Sequence, residues 1–315
     1  MRTPLFIEGL LSWSILLLLS SCNSYKMAEH YVGRKFERGG LKNHLLEVED
    51  FQIDYWDSGG EKPPIVLVHG FGTSPTIQWF RQVKALSQTH RVIVPSLLYF
   101  GKSRPTNIPR YELQSQVDLV KVLLKHLEIE SYVLCGVSYG GLVAGEVARQ
   151  SSKQIEKLIL FDAPLKFYGQ ADIDHVCKTY DVNEIQDFFV PYDHQGMKKL
   201  IHAGFYRAPP IPTPFLRSFY AAQYEPVAND MRQLLIHLQS EEEKYAAMEY
   251  DFSFPMLILW GAHDDIVRLN RGQEMHAYFP QSQFTKFEKS KHFPNIEQHR
   301  KFNRIMTSFL NEGSE

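Results

Sequence analysis

The chain has 315 residues, 44% hydrophobic and 22% charged, with a formal net charge of -2. That length can bury a sizeable core, in one large domain or one domain carrying an insertion. The near-neutral balance leaves no cationic excess to neutralise phosphates, which argues against a nucleic-acid partner.

Residues 1–21 read as a targeting segment. Arg2 precedes the apolar stretch LLSWSILLLL, which falls short of the roughly 20 residues that span a bilayer and suits a signal-peptide core. The small residues Ser20 and Ser21 then precede Cys22. The tetrapeptide LSSC resembles the bacterial lipobox, in which the cysteine is acylated and becomes the mature N-terminus; Glu8 departs from a purely basic leader. The resemblance implies lipidation at Cys22 and a lipid anchor holding an otherwise soluble domain to a membrane surface of the bacterial cell envelope, on the periplasmic side or at the outer membrane. Residues 22–43 read as a linker or N-terminal segment.

From residue 44 the pattern is regular. HLLEVEDFQIDYWDSGG alternates around Glu49-Asp50 as a strand pair does, and PPIVLVHG is the continuous apolar run of a strand covered on both faces. TIQWFRQVKALSQ has helical spacing, HRVIVPS is a strand, and ELQSQVDLVKVLLKHLE is an amphipathic helix. Then come a strand over 131–135, a glycine corner, a helix over 139–150 and the strand KLILFDAP. This alternation predicts the α/β class, a mostly parallel sheet with right-handed crossovers and helices on both faces. After Pro164 the rhythm stops for about ninety residues, more than a plain connection needs. Residues 165–250 read as a helical, aromatic-rich insertion, a lid over a core of 44–164 and 251–315. The rhythm resumes with FPMLILWG, a helix near 268–278, SQFTKFE and a last helix over about 295–311.

The corner GVSYGG fits G-x-S-x-G, with Gly136, Ser138 and Gly140 at its marked positions and Gly141 adding clearance. A sharp strand-to-helix turn thrusts a serine hydroxyl outward, and only tiny neighbours fit around it. A nucleotide-binding loop is the competing reading, but the G-x-G-x-x-G spacing is missing. Plain close packing of helix on strand is the other. A serine needs a base and an orienting acid, in the order Ser, Asp or Glu, His in such a sheet. GAHDDIV after MLILW and KSKHFPNIEQHRKFNRIMTSFL after SQFTKFE supply both in that order. No H-E-x-x-H or other ligand spacing marks a metal, and no cofactor is expected. Cys135 reads as a small buried thiol, and Cys177 completes no disulfide framework.

Together VLVHGFG, LLYFGKS, GVSYGG, LILWGAHDDIV and KHFPNIEQHRKFN resemble an α/β-hydrolase-fold protein over roughly residues 44–311, and within it the lid-bearing serine esterase, lipase and monoacylglycerol lipase group. The resemblance implies Ser138 as nucleophile, His292 as base and Asp264 as acid, with the backbone N–H groups of Phe71 and Tyr139 forming the oxyanion hole. Asp162 marks a site that some members use for the acid and is the runner-up. Asp265 reads as a helix cap or surface charge, His69 as structural, and His299 as lying on the exposed face of the last helix. Two departures stand out: Lys291 replaces the glycine usual before the base, and Ser96 and Tyr99 replace the first two marked positions of D-x-x-G-x-G-x-S. The activity implied is hydrolysis of carboxylic esters with apolar acyl groups. The same serine site serves thioesters, lactones, carbon–carbon bonds or acyl transfer, and a non-catalytic binding protein is a third reading.

Overall fold

A computed structural model describes residues 24–312. Strand β3 (Pro64–Val68) is buried on both faces, and its side chains divide between two cores with the period of two that a pleated strand imposes. Ile65 and Leu67 join one cluster with Trp79, Phe161, Phe302 and Met306; Val66 and Val68 join the other with Val117, Val143 and Leu160. Such a strand is stable only inside a sheet sandwiched between helices.

The hairpin of β1 (Lys42–Val48) and β2 (Phe51–Asp57) has Val48 opposite Phe51 and turns through Glu49 at φ 52°. β2 pairs antiparallel with β4 (Arg91–Pro95), and the sheet then runs parallel through β3, β6 (Tyr132–Val137), β7 (Ile155–Phe161), β8 (Met256–Gly261) and β9 (Gln283–Phe287). A two-residue strand, β5 (Arg104–Pro105), pairs with β2. The expected α/β class and mostly parallel sheet are what the structure has.

Helix α1 (Ser24–Arg38) corrects the linker expected over residues 22–43. Tyr25, Val32 and Phe36 lie one helical face apart and are buried. The pattern TIQWFRQVKALSQ forms two short helices rather than one, α2 (Pro75–Trp79) and α3 (Val83–Leu86). The break places Gln82, fully buried, where its amide donates to the Asn295 carbonyl and the Asn303 side chain. Helix α4 (Leu113–His126) and α5 (Ser138–Gln150) follow as expected.

Between β7 and β8 the chain forms α6 (Gln170–Tyr180), α7 (Ile185–Phe189), α8 (His194–Gly204), α9 (Thr213–Gln223), α10 (Ala228–Ser240) and α11 (Glu242–Ala246). Buried Asp172 in α6 is tied to Arg268 at 2.8 Å and Arg271 at 3.0 Å, the latter in α12 (Leu269–Tyr278). Tyr25 of α1 packs edge-on against Phe219 of α9 at 5.4 Å. The last helix is interrupted as well: α13 (Pro294–Glu297) precedes α14 (His299–Asn311), which buries Phe302, Met306, Phe309 and Leu310 against the sheet. His299 begins α14 half-buried, not on its exposed face. No helix among the described residues is long and apolar enough to cross a membrane. Cys22 lies outside the described residues.

Candidate active site

Val137 ends β6 in extended backbone, and Ser138 opens α5 at φ 52°. That left-handed conformation costs a serine of order 1–3 kcal/mol and is held only where the surroundings over-determine it. The glycines show how. A Cβ on Gly136 would sit 2.5 Å from the Gly140 carbonyl oxygen, and one on Gly140 would sit 2.1 Å from the His69 carbonyl oxygen. Strand, corner and loop touch backbone to backbone, so Ser138 is presented at the head of the helix.

Asp264 and His292 meet on the loops after β8 and β9. His292 Nδ1 lies 2.7 Å from Asp264 Oδ2, both side chains almost fully buried. Asp264 Oδ1 accepts from the backbone N–H groups of Ile266 at 2.8 Å and Val267 at 3.1 Å. The carboxylate is thus fixed by three bonds, and the imidazole is oriented through its Nδ1. The loops also interlock: a Cβ on Gly261 would lie 1.7 Å from the Lys291 carbonyl oxygen. Lys291 extends outward to Asp265 at 2.8 Å, so this departure from glycine is accommodated on the surface side. Behind His292, the Asn295 amide donates to the Gln78 carbonyl at 2.7 Å, tying the loop to α2.

Asp162, at φ 45° just beyond β7, is fully buried and accepts from Gly261 N at 2.9 Å. Burial first, and the adjacent Asp264 charge second, push its carboxyl well above the ordinary range. The neutral acid is therefore favoured. Asp162, Asp264 and His292 bring one candidate ligand atom each within 4.8 Å of one another. Of these, His292 and Asp264 are bonded to each other, and Asp162 is bonded to the Gly261 N–H.

Phe71 and Tyr139, the two residues expected to offer backbone donors, come together with ring centroids 5.7 Å apart, edge to face. His69, by contrast, is a pin. Its Nε2 accepts from Leu97 N at 3.0 Å, and its Nδ1 lies 2.8 Å from the Gly70 carbonyl, which fixes the tautomer with the proton on Nδ1. Burial pushes the imidazole down to about 4. Neutral in the folded protein, it must take up a proton on unfolding below its unfolded value of about 6.5. Its contribution is complete above that value and is lost as pH falls toward 4, about 3 kcal/mol between pH 7 and pH 4. Urea unfolding across this range is expected to show that loss, and a His69→Gln protein is expected to show a correspondingly flatter dependence.

At Ser96 and Tyr99 the structure supplies other anchors. Ser96 Oγ reaches Asp54 Oδ2 at 3.3 Å, and the Leu98 N–H donates to Gln116 Oε1 at 2.8 Å. Tyr99 holds φ 70°, and its hydroxyl accepts from Arg110 N at 3.0 Å. Neither Asp54 nor Gln116 carried a sequence signal, because each belongs to a strand or helix whose own pattern already explained it.

A cavity of about 210 Å³ opens over Ser138 and His292. Phe189, Leu200, Phe215 and Phe219 from the inserted helices form much of its wall, with Tyr224 beside Gly72. Among the described residues no lysine or arginine lines it. Ser138, His292 and Asp264 are therefore gathered at one place, with Phe71, Tyr139 and Asp162 beside them.

Comparison with known proteins agrees with this architecture. Residues 63–298 match the family described as alpha/beta hydrolase fold. The chain is 26% identical over 286 residues to 2-hydroxy-6-oxo-2,4-heptadienoate hydrolase of Pseudomonas putida, covering 89% of this chain and 96% of the relative. It is 26% identical over 272 residues to pimeloyl-[acyl-carrier protein] methyl ester esterase of Vibrio vulnificus, covering 81% of this chain and 97% of the relative. Among solved structures, a bacterial membrane phospholipase A superposes with a TM-score of 0.75 at 21% identity, covering 97% of this chain and 98% of that one. A strand-to-helix serine corner, an acid and a histidine after the last two strands, and a family match across most of the sheet lead to one conclusion: this chain belongs to the α/β hydrolase family.

Proposed function

We propose that the protein is a serine hydrolase of carboxylic esters with apolar acyl groups, of the lid-bearing esterase and monoacylglycerol lipase kind. The observation that carries this reading is the cavity: it meets Ser138 and His292 and is walled by aromatic and aliphatic side chains without a cationic group. A relative named for hydrolysis of a heptadienoate has a substrate carboxylate to satisfy. Here that charge would enter a mostly apolar wall with Thr73 and Gln78 but, among the described residues, no lysine or arginine to pair with it, which is costly. A neutral ester incurs no such cost.

In this reading Ser138 Oγ attacks the carbonyl carbon while His292 Nε2 takes its proton. Asp264 stabilises the imidazolium through Nδ1, and the N–H groups of Phe71 and Tyr139 receive the oxyanion. His292 returns the proton to the departing alcohol, and water, activated by the same base, releases the acyl group. The inserted helices act as a lid that makes the acyl pocket. The LSSC sequence supports a lipid on Cys22, which would place the enzyme at a membrane of the cell envelope, within reach of lipid esters.

The test is hydrolysis of p-nitrophenyl esters from acetate to palmitate. kcat/KM is expected to rise roughly fourfold per added methylene, the equivalent of about 0.8 kcal/mol for each buried CH2, until the cavity is full. Absence of turnover across the series, with a fluorophosphonate probe still labelling Ser138, would overturn the ester reading in favour of thioester, carbon–carbon or transfer chemistry.

A further inference from the structure

The loop that carries Phe71 is gripped from two sides. On the sheet side His69 is fixed by Leu97, as described. On the other side the grip comes from the insertion: the Tyr224 hydroxyl donates to the Gly72 carbonyl at 2.8 Å. Tyr224 follows α9 directly and is 1% exposed. Gly72 holds φ +73°, and a Cβ there would lie 2.3 Å from the Tyr224 hydroxyl oxygen. The hydroxyl thus occupies the space that only a glycine in this backbone conformation leaves open. Burial raises the phenol, so it stays a donor at any ordinary pH.

The contact reaches both ways. Phe71, one residue before Gly72, sits edge-on to Phe100, Tyr139 and Phe189, so a turn of the loop about Gly72 moves the group next to Ser138. Behind Tyr224, Phe219 packs at 5.9 Å, and Tyr25 packs on Phe219 at 5.4 Å. From these contacts we infer that Tyr224 is a positioning residue: its hydroxyl, delivered by the insertion, sets the Gly70–Gly72 backbone so that the Phe71 N–H points at the developing oxyanion. Seating of α9 and assembly of the oxyanion hole are then one event. The inference rests on the esterase reading for its substrate, but not for its geometry.

A hydroxyl that merely satisfies a buried carbonyl would change stability and leave the chemical step alone. Tyr224→Phe separates the two. With a p-nitrophenyl ester, kcat is expected to fall about tenfold, as for loss of one hydrogen bond's worth of transition-state alignment, with KM within about twofold. The rate of covalent labelling by a fluorophosphonate, which also develops charge on an oxygen, is expected to fall by the same factor. Tyr220→Phe, one turn earlier on the same segment, serves as the matched control and should leave both rates unchanged.

A second pair of variants keeps the inference testable should Tyr224→Phe melt early. Gly72→Ala drives a methyl into the hydroxyl in the wild-type background, whereas the ring carbon behind it is 3.4 Å away. Gly72→Ala is therefore expected to reduce the labelling rate by a smaller factor in the Tyr224→Phe background than in the wild type. A kcat and labelling rate within twofold of wild type for Tyr224→Phe, or single-variant effects that simply multiply, would overturn the inference. If the wild type turns over no ester yet labels with the probe, the esterase reading fails while the labelling comparison still decides the role of Tyr224.

Discussion

Ser138→Ala protein is expected to keep the wild-type fold and to lose hydrolysis by a factor on the order of 10⁴–10⁶ in kcat, the range seen when a serine nucleophile is removed and only binding and oxyanion stabilisation remain. The fold should survive because the corner is shaped by its glycines and by the loop beside it. An alanine at φ 52° suffers nearly the strain that the serine already bears. Thermal unfolding within a few degrees of wild type, with ester turnover and fluorophosphonate labelling abolished, is the expected combination. Turnover that persists in this variant would remove Ser138 from the chemistry and assign the nucleophile elsewhere, whereas a wild type that neither turns over ester nor labels with the probe would return the protein to the binding-module reading.

The second large effect distinguishes two carboxyls. Asp264→Asn is expected to lower kcat by about 10⁴-fold, because a neutral amide neither fixes the imidazole tautomer nor stabilises its protonated form. Asp162→Asn is expected to stay within a few-fold of wild type. In the native protein Asp162 is driven toward the neutral acid, by burial and then by the Asp264 charge, while its oxygen accepts from Gly261 N. An asparagine offers the same acceptor and a donor toward Asp264. Kinetics of the two variants at pH 8, with unfolding curves for each, provide the check. The reverse ranking would transfer the acid's role to Asp162 at the end of β7.

The sheet was legible because its central strands are continuous apolar runs that no other element at their length explains, and because Ser138 and Asp264 each follow one of them, while His292 follows the edge strand β9. Asp264 was preferred to its neighbour Asp265 on resemblance, and the structure places Asp264 on His292 Nδ1 while Asp265 pairs with Lys291. What escaped sequence reading depends on contacts between distant segments. Asn295 and Gln78 lie 217 residues apart, and nothing local marks either as a brace for the histidine loop. Tyr224 was one aromatic among many in an insertion where any single ring is most simply a core residue. Helix α1 was missed for a different reason: its buried face is only Tyr25, Val32 and Phe36, a stripe too thin to stand out beside the apolar segment before it.

That same helix bears on the order of folding. The Tyr25 N–H reaches the Ser218 hydroxyl 193 positions later in the chain, at 3.4 Å. Contacts of such sequence separation form late, since the loop they close carries its entropy cost before any neighbour can offset it. Among the described elements the helix that leaves the ribosome first has partners that are made much later. Its docking marks the point at which sheet, insertion and N-terminus have all arrived. Hydrogen exchange during refolding is expected to register α1 amides after those of β3 and β6.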